Sequence, residues 1–354
     1  MKKNQLKANL IAPMAKIIAK TLEKFDDIRV DDYYWLNDKE NPEVIDYLNA
    51  ENDYYQQSTA HLKSFQNTLF DEMKARIKED DASVPYFYND YFYYTRFEKG
   101  MDYPIHCRKK DSLENNEEIM FDCNQMAIGF SYFNLTGINI SEDNIWAAFG
   151  IDTVSRRQYT IQIKNLVTGE ILTTNIENTT GGSTWASDNT TLFYSRKDEI
   201  TLRPDKIFKH ILHSDAQDDT LIFFEKDETF DVSIYKSKSK KFLIITSSST
   251  LTSEYRTLLS SNPNGKFKVF QKRTRGLEYS ISHYLDSFYV LTNKDKATNF
   301  KLMRCFESQT GKENWTEFVT HRDNVLLEGI DIFKNYLVIS ERFKIGRASC
   351  RERV

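Results

Sequence analysis

A catalytic serine is the first possibility to consider, because a serine nucleophile lies on a backbone turn with a recognisable sequence. Hydrolases of the α/β class present that serine as G-x-S-x-G, beside a histidine base and an oxyanion hole. The pattern does not occur in the 354 residues, and the nearest match, Gly181-Gly182-Ser183, lacks the second glycine. We predict that this segment is a turn and that the chain contains no catalytic triad and no catalytic residue.

The six histidines and four cysteines do not form a metal-binding pattern. His210 and His213 are three residues apart, but they lie in a strand-and-turn stretch without further ligands, so we predict no metal site and no cofactor. We expect His283 to be a packed or hydrogen-bonded strand residue. Cys107 and Cys123 could face each other on adjacent strands, and we expect two thiols rather than a disulfide.

Composition excludes several classes of partner. Lys and Arg number 48 against 52 Asp and Glu, which gives a net charge of −4. That balance argues against binding to nucleic acid or to an anionic membrane surface. No apolar run approaches the roughly 18 residues that span a bilayer. The short apolar stretch near the N-terminus does not read as a signal peptide, so we expect a cytoplasmic location.

The elements that position these side chains change character near residue 80. From Asn41 to about residue 78, apolar residues recur at three- and four-residue intervals, which predicts one or two helices. Asn41 suits the N-cap, Pro42 the first helical position, and Glu43 the positive end of the helix dipole. We expect these helices to bury one apolar stripe.

From residue 86 a polar turn followed by an aromatic-rich strand recurs through the chain. If Trp146, Leu192, Phe242, Phe288 and Tyr336 are equivalent, the intervals are 46, 50, 46 and 48 residues. A second element, strand-turn-strand, keeps the same spacing, so each repeat carries four strands. Four strands in 40 to 50 residues are typical of a propeller blade. The sequence predicts an all-β propeller preceded by an α-helical arm.

The number of repeats does not fill a ring. Residues 86 to 343, at about 48 residues per blade, make about five and a half blades, and the last stops after its second strand. The ten residues that end the chain, 345–354, lack the aromatic alternation of the repeats. Read back into codons, they resemble the adapter ligated to fragments in short-read sequencing. We predict that 344–354 is a translated sequencing-adapter tail and that the gene continues.

Several motifs occur in a fixed order, beginning with Asp27–Asp38, read DIRVDDYYWLND, and a helix carrying Tyr47–Asn52. They resemble the prolyl oligopeptidase family, and within it the oligopeptidase B (protease II) subgroup, and the resemblance extends to about Arg342. Further motifs follow in order at Ser155–Tyr159, Asp227–Phe230, Thr252–Glu254, Glu278–Ser280, His283–Tyr284 and Asn324–Gly329.

The resemblance implies an N-terminal arm, a seven-bladed propeller and a C-terminal α/β-hydrolase domain with a Ser-Asp-His triad. Family members cleave short peptides, after Lys or Arg in oligopeptidase B. We therefore expect an arm at 1–80, an incomplete propeller at 81–343 and no hydrolase domain in this chain. The parent would be a serine endopeptidase that acts on short peptides, and this chain itself would be inactive.

Arg156 and Arg157 are the residues to which we assign a hypothetical role. In a propeller, charged loops on one face can line the path of a substrate or form a latch with a docked domain. We hypothesise that one of the pair does so in the full-length protein. The alternative, a solvated loop, stays open.

Two other functions remain open. The chain could be a non-catalytic propeller that serves as a binding scaffold, which needs a closed ring and a natural C-terminus. A propeller hydrolase with acid and base inside the ring would need carboxylates from several blades to converge, which sequence cannot show.

Overall fold

The computed structural model describes residues 10–343 and 348–353. The chain divides into two compact units, Met1–Glu79 and Asp80–Val354. Within the described residues, no helix combines the length and the apolar content that crossing a bilayer demands.

The first unit holds a short hairpin and two helices. Its strands are β1 (Lys20–Lys24) and β2 (Asp27–Asp31), which pair antiparallel, and its helices are α1 (Pro42–Thr59) and α2 (Lys63–Ala75). The Asn41 side chain accepts a hydrogen bond from the Glu43 N–H at 3.0 Å, which satisfies one of the free donors at the helix start. The predicted cap and helices are confirmed.

The apolar stripe on these helices is not buried, contrary to our expectation. Val44 is the buried residue of α1, and α2 has none. Phe65 and Phe70 are more than 60% exposed. The three- and four-residue spacing of apolar residues predicted the helices correctly. That spacing indicates an apolar stripe along each helix, but it does not indicate whether another part of the protein covers the stripe.

The second unit consists of antiparallel sheets in which consecutive strands are neighbours. We number them as blades. Blade 1 is β3 (Tyr86–Tyr88), β4 (Tyr91–Arg96), β5 (Ile105–Lys110) and β6 (Glu118–Asp122), followed by a helical turn, α3 (Cys123–Met126). Blade 2 is β7 (Asn134–Ile140), β8 (Trp146–Asp152) and β9 (Tyr159–Asn165). Blade 3 is β10 (Ile176–Trp185), β11 (Thr191–Lys197), β12 (Pro204–Ile211) and β13 (Thr220–Phe224).

The remaining blades continue the pattern. Blade 4 is β14 (Asp231–Lys236), β15 (Phe242–Ser249), β16 (Thr252–Leu259) and β17 (Lys268–Gln271). Blade 5 is β18 (Tyr279–Tyr284), β19 (Ser287–Thr292), β20 (Lys301–Phe306) and β21 (Thr316–Val319). Blade 6 is β22 (Val325–Ile332), β23 (Leu337–Phe343) and β24 (Ala348–Arg353). The predicted all-β propeller is confirmed.

The turn that defined the sequence repeat joins the first two strands of each blade. At these turns Asn89, Asn144, Asn189, Lys240 and Leu285 all have φ between 50° and 64°. Asparagine tolerates this left-handed conformation better than other residues with a β-carbon. The positive φ that these turns require explains why asparagine recurs in the repeat.

Two features of the sheets were not anticipated. Blades 2 and 3 form one seven-stranded sheet, because β10 pairs with β9 as well as with β11. In blade 6 the segment predicted to be an adapter-derived tail supplies a third strand, since β24 pairs antiparallel with β23. Residues 344–347 and 354 of that tail lie outside the described residues, and its origin stays a prediction.

The core lies between neighbouring blades. Phe121 of blade 1 packs on Phe149 of blade 2 with ring centroids 4.6 Å apart. Between blades 4 and 5, Phe242 and Phe288 pack at 5.1 Å within a fully buried cluster. Neighbouring blades thus bury apolar side chains against each other, as in other repeat architectures.

Candidate functional site

The first strands of blades 1 to 4 surround a cavity of about 480 Å³, which we call the axial cavity. The other strands of blade 1 also contribute to its lining, and propeller blades are arranged around a central channel. Its walls carry six aromatic side chains, Tyr86, Tyr88, Tyr93, Tyr94, Trp185 and Tyr235. Because the lining residues come from different blades, they are far apart in the sequence.

Three glycines let blades 2 and 3 approach closely beside this cavity. A β-carbon on Gly137 would lie 2.2 Å from the carbonyl oxygen of Gly181, and one on Gly150 would lie 2.4 Å from the Gly181 Cα. Gly181 itself has φ +84°, which favours glycine. The pairing between β10 and β11 shifts register between Thr179 and Ser183. Gly181 and Gly182 therefore form an irregularity within β10 and not a turn, which corrects the prediction for this segment.

The irregular strand delivers Ser183 to the cavity. Ser183 is 9% exposed, and its Oγ has no hydrogen-bond partner among the described residues. His106, on the third strand of blade 1, also lines the cavity. Its Nδ1 lies 3.3 Å from Thr95 Oγ1, whereas the buried Nε2 finds no partner in the described part of the chain. Burial lowers the pKa of His106, which favours the neutral imidazole.

An ion pair marks one end of the axial cavity. Lys236 Nζ lies 2.6 Å from Glu142 Oε1. Burial opposes ionisation of Glu142, but the Lys236 ammonium and the Ser187 hydroxyl outweigh it, so its pKa lies below the ordinary value. Burial lowers the pKa of Lys236, and Glu142 offsets this only in part. The pair has little solvent around it, since the Lys236 side chain is 12% exposed.

The turn after Lys236 extends this polar end to other blades. Lys238 Nζ lies 3.2 Å from Asp331 of blade 6, and Lys241 Nζ lies 2.6 Å from Glu307 of blade 5. Lys240 Nζ donates to Asn89 Oδ1 of blade 1 at 3.1 Å. Lys236, at the start of this turn, pairs with Glu142 of blade 2. The lysines around one turn of blade 4 therefore contact four other blades. Sequence reasoning used this turn only as a repeat marker, although its run of lysines was a usable signal.

Arg156 and Arg157 lie elsewhere, in the loop between β8 and β9. Both are exposed. The Arg157 N–H donates to Asp152 Oδ2 at 2.7 Å, and Lys197 Nζ donates to the Arg157 carbonyl. The loop backbone is therefore anchored. Strand connectivity puts this loop on the face opposite the turns that carry Glu142 and Lys238, so the structure does not bring the arginines to the axial cavity's polar end.

His210 and His283 make buried contacts within the propeller. His210 Nδ1 lies 2.7 Å from Asp219 Oδ1 with both side chains buried, and His283 Nδ1 lies 2.8 Å from Ser239 Oγ. Within the described residues, no group of three His, Cys, Asp or Glu side chains could hold a metal ion. Cys107, Cys123 and Cys305 are free and buried.

Known proteins are similar to this chain in sequence. The family described as prolyl oligopeptidase, N-terminal beta-propeller domain, matches residues 13–346. Dipeptidyl aminopeptidase BI of Pseudoxanthomonas mexicana is 40% identical over 331 residues, covering 89% of this chain and 46% of that protein. Protease 2 of Moraxella lacunata is 34% identical over 338 residues, covering 93% of this chain and 48% of that protein.

The solved structures agree with the sequences. Oligopeptidase B from Leishmania major superposes with a TM-score of 0.90 at 28% identity, covering 97% of this chain and 51% of that chain. The chain spans about half the length of the curated relatives that it matches. The resemblance found in the sequence motifs is confirmed. The chain belongs to the prolyl oligopeptidase family and carries its N-terminal β-propeller domain.

Proposed function

We propose that this chain is the arm and propeller portion of a serine peptidase that hydrolyses short peptides. The observation that carries the proposal is the match of residues 13–346 to the family's propeller domain, together with the half-length coverage of peptidase relatives. In this proposal residues 1–80 are the arm, 81–343 the propeller, and the triad belongs to an α/β-hydrolase domain that this chain does not contain. This chain by itself is inactive.

Two cleavage specificities have support. The structural likeness to oligopeptidase B favours an endopeptidase that cuts after Lys or Arg. The 40% identity to a dipeptidyl aminopeptidase favours release of dipeptides from a free N-terminus. We adopt the first and treat the second as the competitor. The two differ in one chemical requirement, since only the aminopeptidase needs an unblocked α-amino group on the substrate.

The product of the complete reading frame decides between them. It should be assayed with an N-blocked Arg chromogenic peptide and with an unblocked Xaa-Arg dipeptide of the same leaving group. We expect turnover of the blocked substrate with kcat/KM at least equal to that of the unblocked one. Turnover confined to the unblocked substrate would establish the aminopeptidase, and turnover of neither would contradict the peptidase assignment.

Arg156 and Arg157 are proposed to latch the propeller to the catalytic domain or to line the peptide path. Their exposure and the anchored backbone of their loop support this, because a held loop presents charge to a partner at little entropic cost. In the complete enzyme, replacing both with Ala should change peptide turnover and its dependence on salt. The matched control is Lys266→Ala with Lys268→Ala, two exposed cations of blade 4. Equal behaviour of the two double variants would rule out the role.

The proposed partners are short peptides, with no nucleic acid and no membrane, and the proposed location is the cytoplasm. The balanced charge of the chain and its free, buried thiols support these assignments. Fractionation of cells that express the complete product would test the location. A non-catalytic scaffold remains the alternative if the complete reading frame has no hydrolase domain.

A further inference from the structure

A second cavity, of about 410 Å³, lies where blades 4 and 5 meet, and we call it the basic cavity. Three connecting segments line it: the link between β17 and β18, the loop between β19 and β20, and the loop between β20 and β21. The last of these contributes Lys312. The basic cavity shares no lining residue with the axial cavity, so the two can be tested independently.

The charges that line the basic cavity are mostly positive. Four cations line it: Arg275, Lys294, Lys296 and Lys312. Of the described lining residues only Asp295 is a carboxylate, and it is shared between Lys294 Nζ at 2.9 Å and Lys301 Nζ at 3.0 Å. Within the part of the chain that the structure describes, Arg275 and Lys296 form no ion pair. A concave surface with one sign of charge focuses its electric field, so this cavity attracts an anion.

Hydrogen bonds between the three segments hold these cations in place. Asn293 Nδ2 donates to the Gly276 carbonyl at 3.0 Å, and Asn293 Oδ1 accepts from the Glu278 N–H at 2.9 Å, which joins the first two segments. The third is tied to blade 4, because the Lys312 N–H donates to Gln271 Oε1 at 2.7 Å. The like charges therefore stay together without a ligand. A bound anion would relieve their repulsion and would meet a site that is already formed.

The lining side chains can be reached from solvent, and the size of the cavity indicates the kind of anion. Arg275 and Lys296 are exposed, and Lys294 and Lys312 are half-buried. A water molecule takes about 30 Å³ of liquid volume, so the basic cavity is much larger than one small ion. A chain with several carboxylates would fill it better and neutralise more of its cations.

We propose that the basic cavity binds an acidic peptide segment in which two or more Asp or Glu residues lie close together. The inference does not depend on the proposed peptidase function, because the cations belong to the propeller and binding involves no bond cleavage.

Calorimetric titration of the 354-residue chain with acetyl-Gly-Asp-Glu-Asp-Gly-amide tests the site. We expect a Kd of about 0.1–1 mM at an ionic strength of about 0.01 M, and at least about tenfold weaker binding at about 1 M, where salt screens the charges. The uncharged analogue acetyl-Gly-Asn-Gln-Asn-Gly-amide should bind at least about tenfold more weakly than the acidic peptide. Inorganic phosphate should also bind more weakly, because it is too small to reach cations on all three segments.

Two double variants with the same change in net charge show whether the basic cavity is responsible. Arg275→Gln with Lys296→Gln should weaken binding of the acidic peptide about 3- to 10-fold at low ionic strength. Lys266→Gln with Lys268→Gln, two exposed cations of blade 4 that do not line the cavity, should weaken it by less than about twofold. Since all four side chains are exposed, both variants should keep the Tm of the unchanged chain.

Four results would overturn the inference. They are absence of binding up to about 10 mM acidic peptide, equal affinity for the uncharged analogue, equal weakening by the two double variants, and phosphate binding as tight as that of the peptide. The last result would make the cavity a site for small anions only. Because the titration measures no turnover, each of these results leaves the peptidase assay untouched, and a failed assay leaves the binding result standing.

Discussion

At the scale of single residues, the propeller stabilises its blades with buried polar groups that pair within or between strands. In blade 3, His210 Nδ1 lies 2.7 Å from Asp219 Oδ1, and the Tyr194 hydroxyl donates to Asp219 Oδ2 at 2.8 Å. Arg196 donates to the same hydroxyl at 2.8 Å. Burial and the Asp219 carboxylate raise the pKa of Tyr194, which keeps this hydroxyl a donor. One carboxylate therefore satisfies two buried side chains.

Removing that carboxylate should be costly. Asp219→Ala leaves His210 Nδ1 and the Tyr194 hydroxyl without their shared acceptor in a dry environment, and we expect a loss of about 2–6 kcal/mol in the free energy of unfolding, or about 1–3 kcal/mol for each group. Chemical denaturation measures this. The control is Asp331→Ala, which breaks the exposed pair with Lys238 and should cost far less. Similar losses for the two variants would contradict the importance of the buried network.

The buried thiols should be inert. Burial raises the pKa of Cys107 to about 12, of Cys123 to about 11 and of Cys305 to about 12. Since the thiolate is the reactive form, these residues should resist iodoacetamide at pH 8 in the folded chain and react after unfolding. Peptide mapping by mass spectrometry locates the label. Rapid labelling of Cys107 in folded protein would show that blade 1 is open to solvent.

The Glu142–Lys236 pair should make stability depend on pH. The pKa of Glu142 is lowered in the folded chain, so its contribution is present above the ordinary value of 4.5 and is lost as pH falls through the folded pKa. The free energy of unfolding should therefore differ between the native chain and Glu142→Gln above pH 5. That difference should shrink as the pH falls below about 4.5. A pH-independent difference would contradict the charge pairing.

At the scale of elements, close backbone approach between blades 2 and 3 fixes the irregular first strand of blade 3. The strand bends at Gly181, where a β-carbon would lie 2.6 Å from Thr136 Cγ2 and 2.9 Å from Tyr159 Cγ. This bend explains why β10 pairs on both sides and why Ser183 reaches the axial cavity. Glycine at this position therefore supports both the fold and the site.

Two glycine variants separate backbone strain from crowding. Gly181→Ala should lose more than about 2 kcal/mol, because it adds a clash to an unfavourable φ of +84°. Gly169→Ala has a similar φ of +81° with nothing within 4 Å of the new carbon, and should lose only about 1 kcal/mol. Thermal denaturation of both compares the costs. Equal losses would mean that the contact between blades contributes nothing.

Sequence predicted the elements whose cause is local. Asn41 caps α1 because its own side chain meets the Glu43 N–H, and the blade turns recur because Asn89, Asn144 and Asn189 each adopt a positive φ. The pairing of β9 with β10 and the strand β24 were not predicted although each partner strand is next along the chain, because the alternation within a strand does not show which neighbour its edge will pair with.

The axial cavity could not be predicted because its walls come from residues that are distant in the chain. Tyr86, Ser183 and Tyr235 belong to three different blades and meet only when the blades are arranged around the axis. Arg156 and Arg157 were chosen as charged residues of a propeller loop, and the structure puts them in an exposed loop of blade 2. The lysines at 236, 238, 240 and 241 carried a visible charge pattern, but their partners lie on four other blades.

At the scale of the whole molecule, the chain carries a family's propeller without that family's nucleophile motif. Residues 13–346 match the propeller domain, and the sequence contains no G-x-S-x-G. Propeller blades bury their faces against neighbours, so the catalytic chemistry of the proposed peptidase must come from a separate domain. We therefore propose that hydrolysis belongs to a domain outside this chain.

The 354-residue chain alone should not hydrolyse peptides. Incubation with an N-blocked Arg or Lys chromogenic peptide should release no product above a buffer blank, because no serine here occupies a nucleophile elbow. The complete product serves as the positive control under the same conditions. Clear turnover by the purified chain would contradict this prediction.

The most direct test of the central claim is the genomic DNA sequence downstream of the codon for Arg342. The account predicts that the codons for 345–354 are absent there and that the frame continues through about one and a half further blades. A G-x-S-x-G segment should follow, as the serine of an α/β-hydrolase domain requires. Genomic codons for 345–354 followed by a stop, with no such segment, would contradict the claim that this chain is the propeller portion of a serine peptidase.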